Sequence, residues 1–80
     1  MTLSEVYSFV DDLTVKCQET GRTDLAQKID DAMHLGSSGL EILGAIRQIL
    51  FDHRDEIGQI VEMSRLKSVV TYVDKAFGRA

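Results

Sequence analysis

Residues 36–51 read Gly36-Ser37-Ser38-Gly39-Leu40-Glu41 and then Ile42-Leu43-Gly44-Ala45-Ile46-Arg47-Gln48-Ile49-Leu50-Phe51. The glycine-flanked serines form a break in the chain, and Ser38 and Glu41 have the spacing of a capping box. A capping box marks a helix N-terminus, so a helix is predicted to begin near Leu40 and to occupy about residues 39–53.

This predicted helix is apolar over most of its circumference. At about 100° per residue, Glu41, Gln48 and Asp52 fall on one narrow polar stripe, and only Arg47 interrupts the rest. A surface helix usually shows an apolar stripe of a little over ~100°, and this one shows roughly twice that width. We therefore expect the 39–53 helix to be the central helix, a dimer seam, or both. The predicted interface residues are Leu40, Leu43, Gly44, Ile46, Arg47 and Leu50.

The N-terminal segment is predicted to be an amphipathic helix. Thr2 and Glu5 form another capping box. Apolar residues then recur at three- and four-residue spacing, at Leu3, Val6, Phe9 or Val10, Leu13 and Cys17. Gly21 is a plausible stop for this helix because glycine is common just past a helix C-terminus.

Two further helical regions follow from the same spacing. The second helix is predicted to open at Arg22 or Thr23 and to end at Gly36, and residues 52–56 form a charged corner. Residues 55–77 form either one helix bent near Ser64 or two helices with Ser64 as the cap of the second. Residues 69–73 are the only segment with strand propensity, but no second strand is available to pair with them. The sequence thus predicts an all-α single domain, residues 1–80, built as a small bundle of about four helices.

The composition limits which classes of partner and which cellular compartment are expected. The chain has 80 residues, a formal charge of −4 and no cluster of Lys or Arg, which argues against nucleic-acid binding and favours a basic protein partner. Cys17 is the only cysteine, so the chain has no internal disulfide. The first residues show no signal peptide, and no window is apolar enough for a membrane span. We expect a cytoplasmic protein.

The chemically reactive side chains do not form a known type of site. Cys17, His34 and His53 lack a metal-ligand spacing, so Cys17 is expected to be a small buried hydrophobe and His34 to assist a helix C-terminus. The doublets Asp11-Asp12 and Asp30-Asp31 point about 100° apart on a helix and form no shared carboxylate site. We therefore predict no catalytic residue, no cofactor and no metal.

Three resemblances bear on function. In length, acidity and helical content the chain resembles an acyl carrier protein, which implies a phosphopantetheine arm on Ser38, although Gly39 stands where that family has Leu. Residues 24–50 resemble a group of small bacterial helical proteins with a Gly-Ser-Ser/Thr-Gly-x-Glu-Ile/Leu-Leu junction, which implies a bacterial helical domain and no particular activity. In size and acidity the chain is also similar to the immunity proteins that neutralise nuclease colicins, although it has no proline for their Tyr-Tyr-Pro element.

The function expected from the sequence is non-enzymatic protein binding. Within that class we favour an immunity-like or antitoxin-like role, in which an acidic helical domain masks a basic partner. One alternative is a structural homodimer joined through the predicted interface residues. Another is a carrier domain modified on Ser38.

Overall fold

The computed structural model describes residues 1–34 and 38–78, and this part of the chain is built from helices joined by short turns. The helices are α1 (Leu3–Glu19), α2 (Thr23–Met33), α3 (Gly39–Asp52), α4 (Arg54–Gly58) and α5 (Met63–Ala76). The all-α prediction is confirmed, because the described residues contain no strand. Four of the helices have more than ten residues, and α4 adds a single short turn of helix.

The predicted boundaries of α1 are confirmed at both ends. Thr2 Oγ1 accepts a hydrogen bond from the Glu5 amide at 3.3 Å, and the Glu5 carboxylate accepts one from the Thr2 amide at 3.1 Å. Gly21 has a φ of +77°, a conformation that glycine adopts without strain. The turn that it makes brings the Arg22 amide to 2.7 Å from the Cys17 carbonyl oxygen, so α2 starts immediately beside the end of α1.

The second helix begins at Thr23, with Arg22 at its N-cap and no side-chain cap. At its other end His34 Nδ1 lies 2.7 Å from the Asp30 carbonyl oxygen, which confirms the predicted role of His34 at the helix C-terminus. The predicted helix end at Gly36 lies outside the described residues.

Ser38 is the N-cap of α3, as predicted, and its Oγ accepts a hydrogen bond from the Glu41 amide at 3.2 Å. Residues 54–76 form two helices, so one of the two predicted alternatives for this region is correct. The cap of α5 is Glu62, however, and not Ser64, which lies inside the first turn. The strand-prone residues 69–73 are helical, as predicted.

The core takes side chains from every helix. Its largest fully buried members are Phe9, Leu13, Ile29, Ile46 and Ile57, and α5 contributes the fully buried Val69 and Val73. Helix α3 packs against α2, α4 and α5, which confirms its predicted central position. Its coverage is incomplete at both ends, however, because Leu40 is 55% exposed and Phe51 is 64% exposed.

Candidate functional site

Half of the predicted interface residues lie inside the single chain. Leu43, Ile46 and Leu50 are each at most 5% exposed and belong to the core. Their apolar character is therefore explained by the packing of α3 within its own fold. A seam between two copies would have to use their exposed neighbours, of which Leu40 is one.

The other predicted interface residues, Gly44 and Arg47, face α5. A Cβ atom on Gly44 would lie 3.3 Å from the Cζ atom of Phe77, so the glycine lets this ring approach the α3 backbone. One turn further along, Arg47 Nε donates a hydrogen bond to the Asp74 carboxylate. These contacts join the middle of α3 to the end of α5, so the two helices run antiparallel.

Beyond Arg47, the same two helices leave a groove between them with a volume of about 380 Å³. Leu50, Leu66 and Val70 line it with apolar side chains, and of these Leu50 and Leu66 belong to the buried core. The groove is thus an open continuation of the core toward solvent, at the end of the pair where α3 leads into α4.

Two large apolar side chains stand at the edge of this groove, one on each helix. Phe51, in the last turn of α3, is 64% exposed, and Met63, the first residue of α5, is 46% exposed. Met63 packs closely on α4, since a Cβ atom on Gly58 would come within 2.9 Å of the Met63 Cε atom. The groove therefore has an apolar edge as well as an apolar floor.

The charged residues that line the groove all carry positive charge: they are Arg47, Arg54 and Lys67. Arg47 is neutralised by Asp74, and the Arg54 guanidinium lies 5.9 Å from the centre of the Phe51 ring. In the part of the chain that the structure describes, neither Arg54 nor Lys67 pairs with a carboxylate. The groove is thus apolar and bordered by two unpaired cations.

This charge differs from that of the rest of the molecule. Residues 1–34 carry seven Asp or Glu and three Lys or Arg, residues 38–62 carry five and two, and residues 63–78 carry one and three. The surface formed by α1 and α2 is therefore acidic, and α5 is basic, in a chain whose net charge is −4.

A second polar cluster connects α2 to α4. Arg22 Nε lies 3.2 Å from the Glu56 carboxylate, and His53 Nδ1 lies 3.5 Å from the same carboxylate. Lys28 Nζ approaches the other ring nitrogen of His53 at 3.5 Å. The Arg22 Nε atom is buried without an aligned hydrogen bond, so this contact is an ion pair only. These contacts clamp the start of α2 to α4 and place no nucleophile in solvent.

Cys17 lies below this cluster and is fully buried, as predicted. Burial raises the pKa of its thiol, the Glu56 carboxylate raises that pKa further, and Arg22 opposes the shift. A protonated, inaccessible thiol is a poor nucleophile, so Cys17 acts as a packing residue.

Ser38, the residue considered for a carrier arm, lies exposed at the start of α3. Its Oγ is already engaged as the acceptor for the Glu41 amide, a sufficient structural reason for a serine at this position. Modification of Ser38 stays a prediction.

Sequence reasoning identified Arg47 and Leu50 among the groove residues but missed Phe51, Met63 and Lys67. Phe51 lies one turn after Arg47 at the end of the most apolar helix, and that position was the available signal. Met63 and Lys67 carried no such signal, because their place beside α3 depends on the turn between α4 and α5.

Residues 1–34 and 38–78 contain neither a metal-binding cluster nor a membrane-spanning helix. No group of three or more His, Cys, Asp or Glu side chains there is arranged to hold a metal ion. None of the helices in these ranges combines the length and apolarity that crossing a bilayer requires. Comparisons with models of protein families, with curated proteins and with solved structures returned no match for this chain.

Proposed function

We propose that this chain is a non-enzymatic protein-interaction domain and that the α3–α5 groove is its docking surface. The observation that carries the proposal is the exposure of Phe51 and Met63 beside an apolar floor. Contiguous apolar surface bordered by polar groups is typical of protein-binding sites.

The energetic reason lies in the Phe51 and Met63 side chains. Removing one large apolar side chain from water contributes about 1.5–3 kcal/mol, and the fold itself leaves most of this gain unrealised at Phe51. A partner side chain that enters the groove would cover both residues together and would extend the core outward.

The experiment compares proteins retained from a native lysate by immobilised wild type, by Phe51→Ser and by Val15→Ser. Val15 is the matched control because it is 50% exposed on α1 and does not line the groove. We expect a protein that wild type and Val15→Ser retain and Phe51→Ser does not, while circular dichroism shows all three folded. Equal retention by the three variants, or no retention by any, would refute the proposal.

A second candidate is the immunity-like or antitoxin-like role, in which the acidic face of α1 and α2 covers a basic partner. It is supported by the exposed carboxylates of Asp11, Glu19 and Asp24, which pair with no cation among the described residues. Electrostatic fields of opposite sign on two proteins accelerate their encounter and orient them for binding. If Glu19→Lys and Asp24→Lys abolish retention of the partner and Phe51→Ser does not, the acidic face replaces the groove as the docking surface.

For both candidates we propose a reducing compartment, the cytoplasm. A small domain with a single, buried cysteine in the free thiol form is typical of that environment.

A further inference from the structure

We infer that the partner of the α3–α5 groove presents an acidic amphipathic helix, with apolar side chains entering the groove and carboxylates reaching Arg54 and Lys67. This inference rests on the docking function proposed above and names the chemistry of the partner.

The shape of the groove fits a helix. Its lining on α5 runs from Met63 to Thr71, a length of about 12 Å at the α-helical rise. That length matches about two turns of a third helix, whose side chains at positions i and i+4 or i+7 would enter the groove. Arg47 and Asp74 close the groove at one end, where they hold α3 and α5 together.

The charges around the groove determine the sign of the charge that the partner must carry. Arg54 begins α4 and Lys67 lies on α5, and no Asp or Glu is among the described residues that line the groove. A helix with Glu or Asp beside its apolar stripe would pair with both cations, whereas a basic helix would be repelled by both. Lys75, one turn beyond Thr71 on α5, lines a neighbouring depression with Lys67, so the positive surface continues along α5, whereas Asp52 and Asp55 line the depression on the other side of Arg54.

The acidic α1–α2 surface reinforces this selection. An acidic partner approaching that surface meets like charge, so the field of the whole molecule directs it toward α5. A molecule with one basic face thus binds an acidic partner in one place, despite its negative net charge.

The test uses three synthetic helical peptides of about 16 residues, long enough for measurable helix content when capped. The first has Leu at positions i, i+4 and i+7 with Glu on both flanks of that stripe. The second replaces each Glu with Lys, and the third keeps Glu and replaces each Leu with Ser. Binding to the whole chain is measured by fluorescence anisotropy, and the site is located by NMR shifts of the backbone amides.

We expect the acidic Leu peptide to bind at least about tenfold more tightly than either control peptide. Its affinity is expected to fall when salt is raised from about 0.05 M to about 0.5 M, because the rim charges are exposed and are screened. The largest amide shifts are expected at Phe51, Met63 and Lys67.

Charge reversal tests the two rim cations individually. Lys67→Glu and Arg54→Glu are each expected to weaken binding of the acidic Leu peptide by about three- to tenfold. Lys16→Glu makes the same change in net charge on α1, away from the groove, and is expected to stay within about twofold of wild type.

Three results with the peptides would overturn the inference. These are equal affinity for the acidic and basic peptides, no binding of the acidic peptide, and equal weakening by Lys16→Glu and Lys67→Glu. Concentration-dependent self-association that shifts the same amides would assign the groove to a second copy of the chain and would also overturn it. If a cellular partner still requires Phe51 but tolerates Lys67→Glu and Arg54→Glu, the proposed docking function stands and only the acidic helix is rejected.

Discussion

The α1–α2 hairpin and the α3–α5 pair are both built from amphipathic helices, but the hairpin covers its apolar face more completely, with Leu3 at its start as the exception. In the hairpin, the apolar stripe of α1 meets that of α2, and residues such as Phe9, Leu13 and Ile29 are fully buried. In the α3–α5 pair, Leu50 and Leu66 are buried, whereas Phe51 and Met63 beside them are exposed.

The difference arises from how each pair is connected. Gly21 turns the chain so tightly that the start of α2 lies against the end of α1. Helix α4 stands between α3 and α5, directs Ile57 into the core and positions Met63 at the far side of the groove. A tight turn thus closes one helix pair, and an inserted turn of helix leaves the other open to solvent.

The comparison is tested most strongly by truncating one large apolar side chain in each pair. We expect Leu13→Ala in the closed pair to lower the free energy of unfolding by about 2–5 kcal/mol, because it leaves a cavity in the core. Phe51→Ala in the open pair should lower it by less than about 1 kcal/mol, because this side chain is already in water. Urea unfolding followed by circular dichroism measures both, and equal losses would show that the two pairs do not differ.

A smaller effect is expected from the ion pair that closes one end of the groove. Asp74→Asn should cost about 1 kcal/mol of stability, since Arg47 and Asp74 are less than a third exposed and connect α3 to α5. The control is Asp12→Asn, which weakens a more exposed pair with Arg65 and should cost about 0.5 kcal/mol or less. Asp74→Asn also frees Arg47, so binding of the acidic Leu peptide should tighten, and unchanged binding would argue against a cationic rim.

The burial of Cys17 in the α1–α2 hairpin predicts that the stability of the chain depends on pH. Because burial raises the pKa of Cys17, the native state keeps the thiol proton at alkaline pH at which the unfolded chain has lost it. This contribution to stability is complete below the unfolded thiol's pKa and is lost as the pH rises toward the folded value. Unfolding measured from about pH 7 to about pH 10 should show a steeper decline for wild type than for Cys17→Ala. Parallel curves would contradict the raised pKa.

The smallest effect is expected at Gly44, where α3 meets Phe77. Gly44→Ala should raise the free energy of unfolding by about 0.5 kcal/mol, because alanine favours helix by about 1 kcal/mol and some of this is lost to the crowding of Phe77. Gly44→Leu is too large for the gap and should destabilise the chain. A thermal melt measures both variants, and a loss of stability in Gly44→Ala would show that the Phe77 ring cannot move aside.

Several local features could be predicted from the sequence because they depend on residues close together in the chain. The caps at Thr2 and Ser38, the stop at Gly21 and the C-terminal contact of His34 each involve a partner within about one helical turn. The cap of α5 was predicted at Ser64 and is at Glu62, because the turn after α4 shifts the start of that helix. Leu3, expected on the buried face of α1, is exposed at the first helical turn.

The candidate site was predicted less well, because it depends on contacts between distant residues. The breadth of the apolar surface of α3 indicated a central helix, but it did not distinguish residues covered by the chain's own helices from those left uncovered. Ile46 is buried in the core and Phe51 is exposed, although both belong to the same apolar helix. Lys67 lies at the groove only because α5 packs beside α3.

The sequence by itself determined the helical class, the helix starts at residues 3 and 39, and the central position of α3, because spacing and caps act over a few residues. Only the tertiary structure decided that Lys67 of α5 borders an apolar groove, together with Arg54, while Arg65 of α5 pairs with Asp12 of α1. The physical reason is that burial and charge patterns depend on which helices pack together, and the α4 turn controls that arrangement.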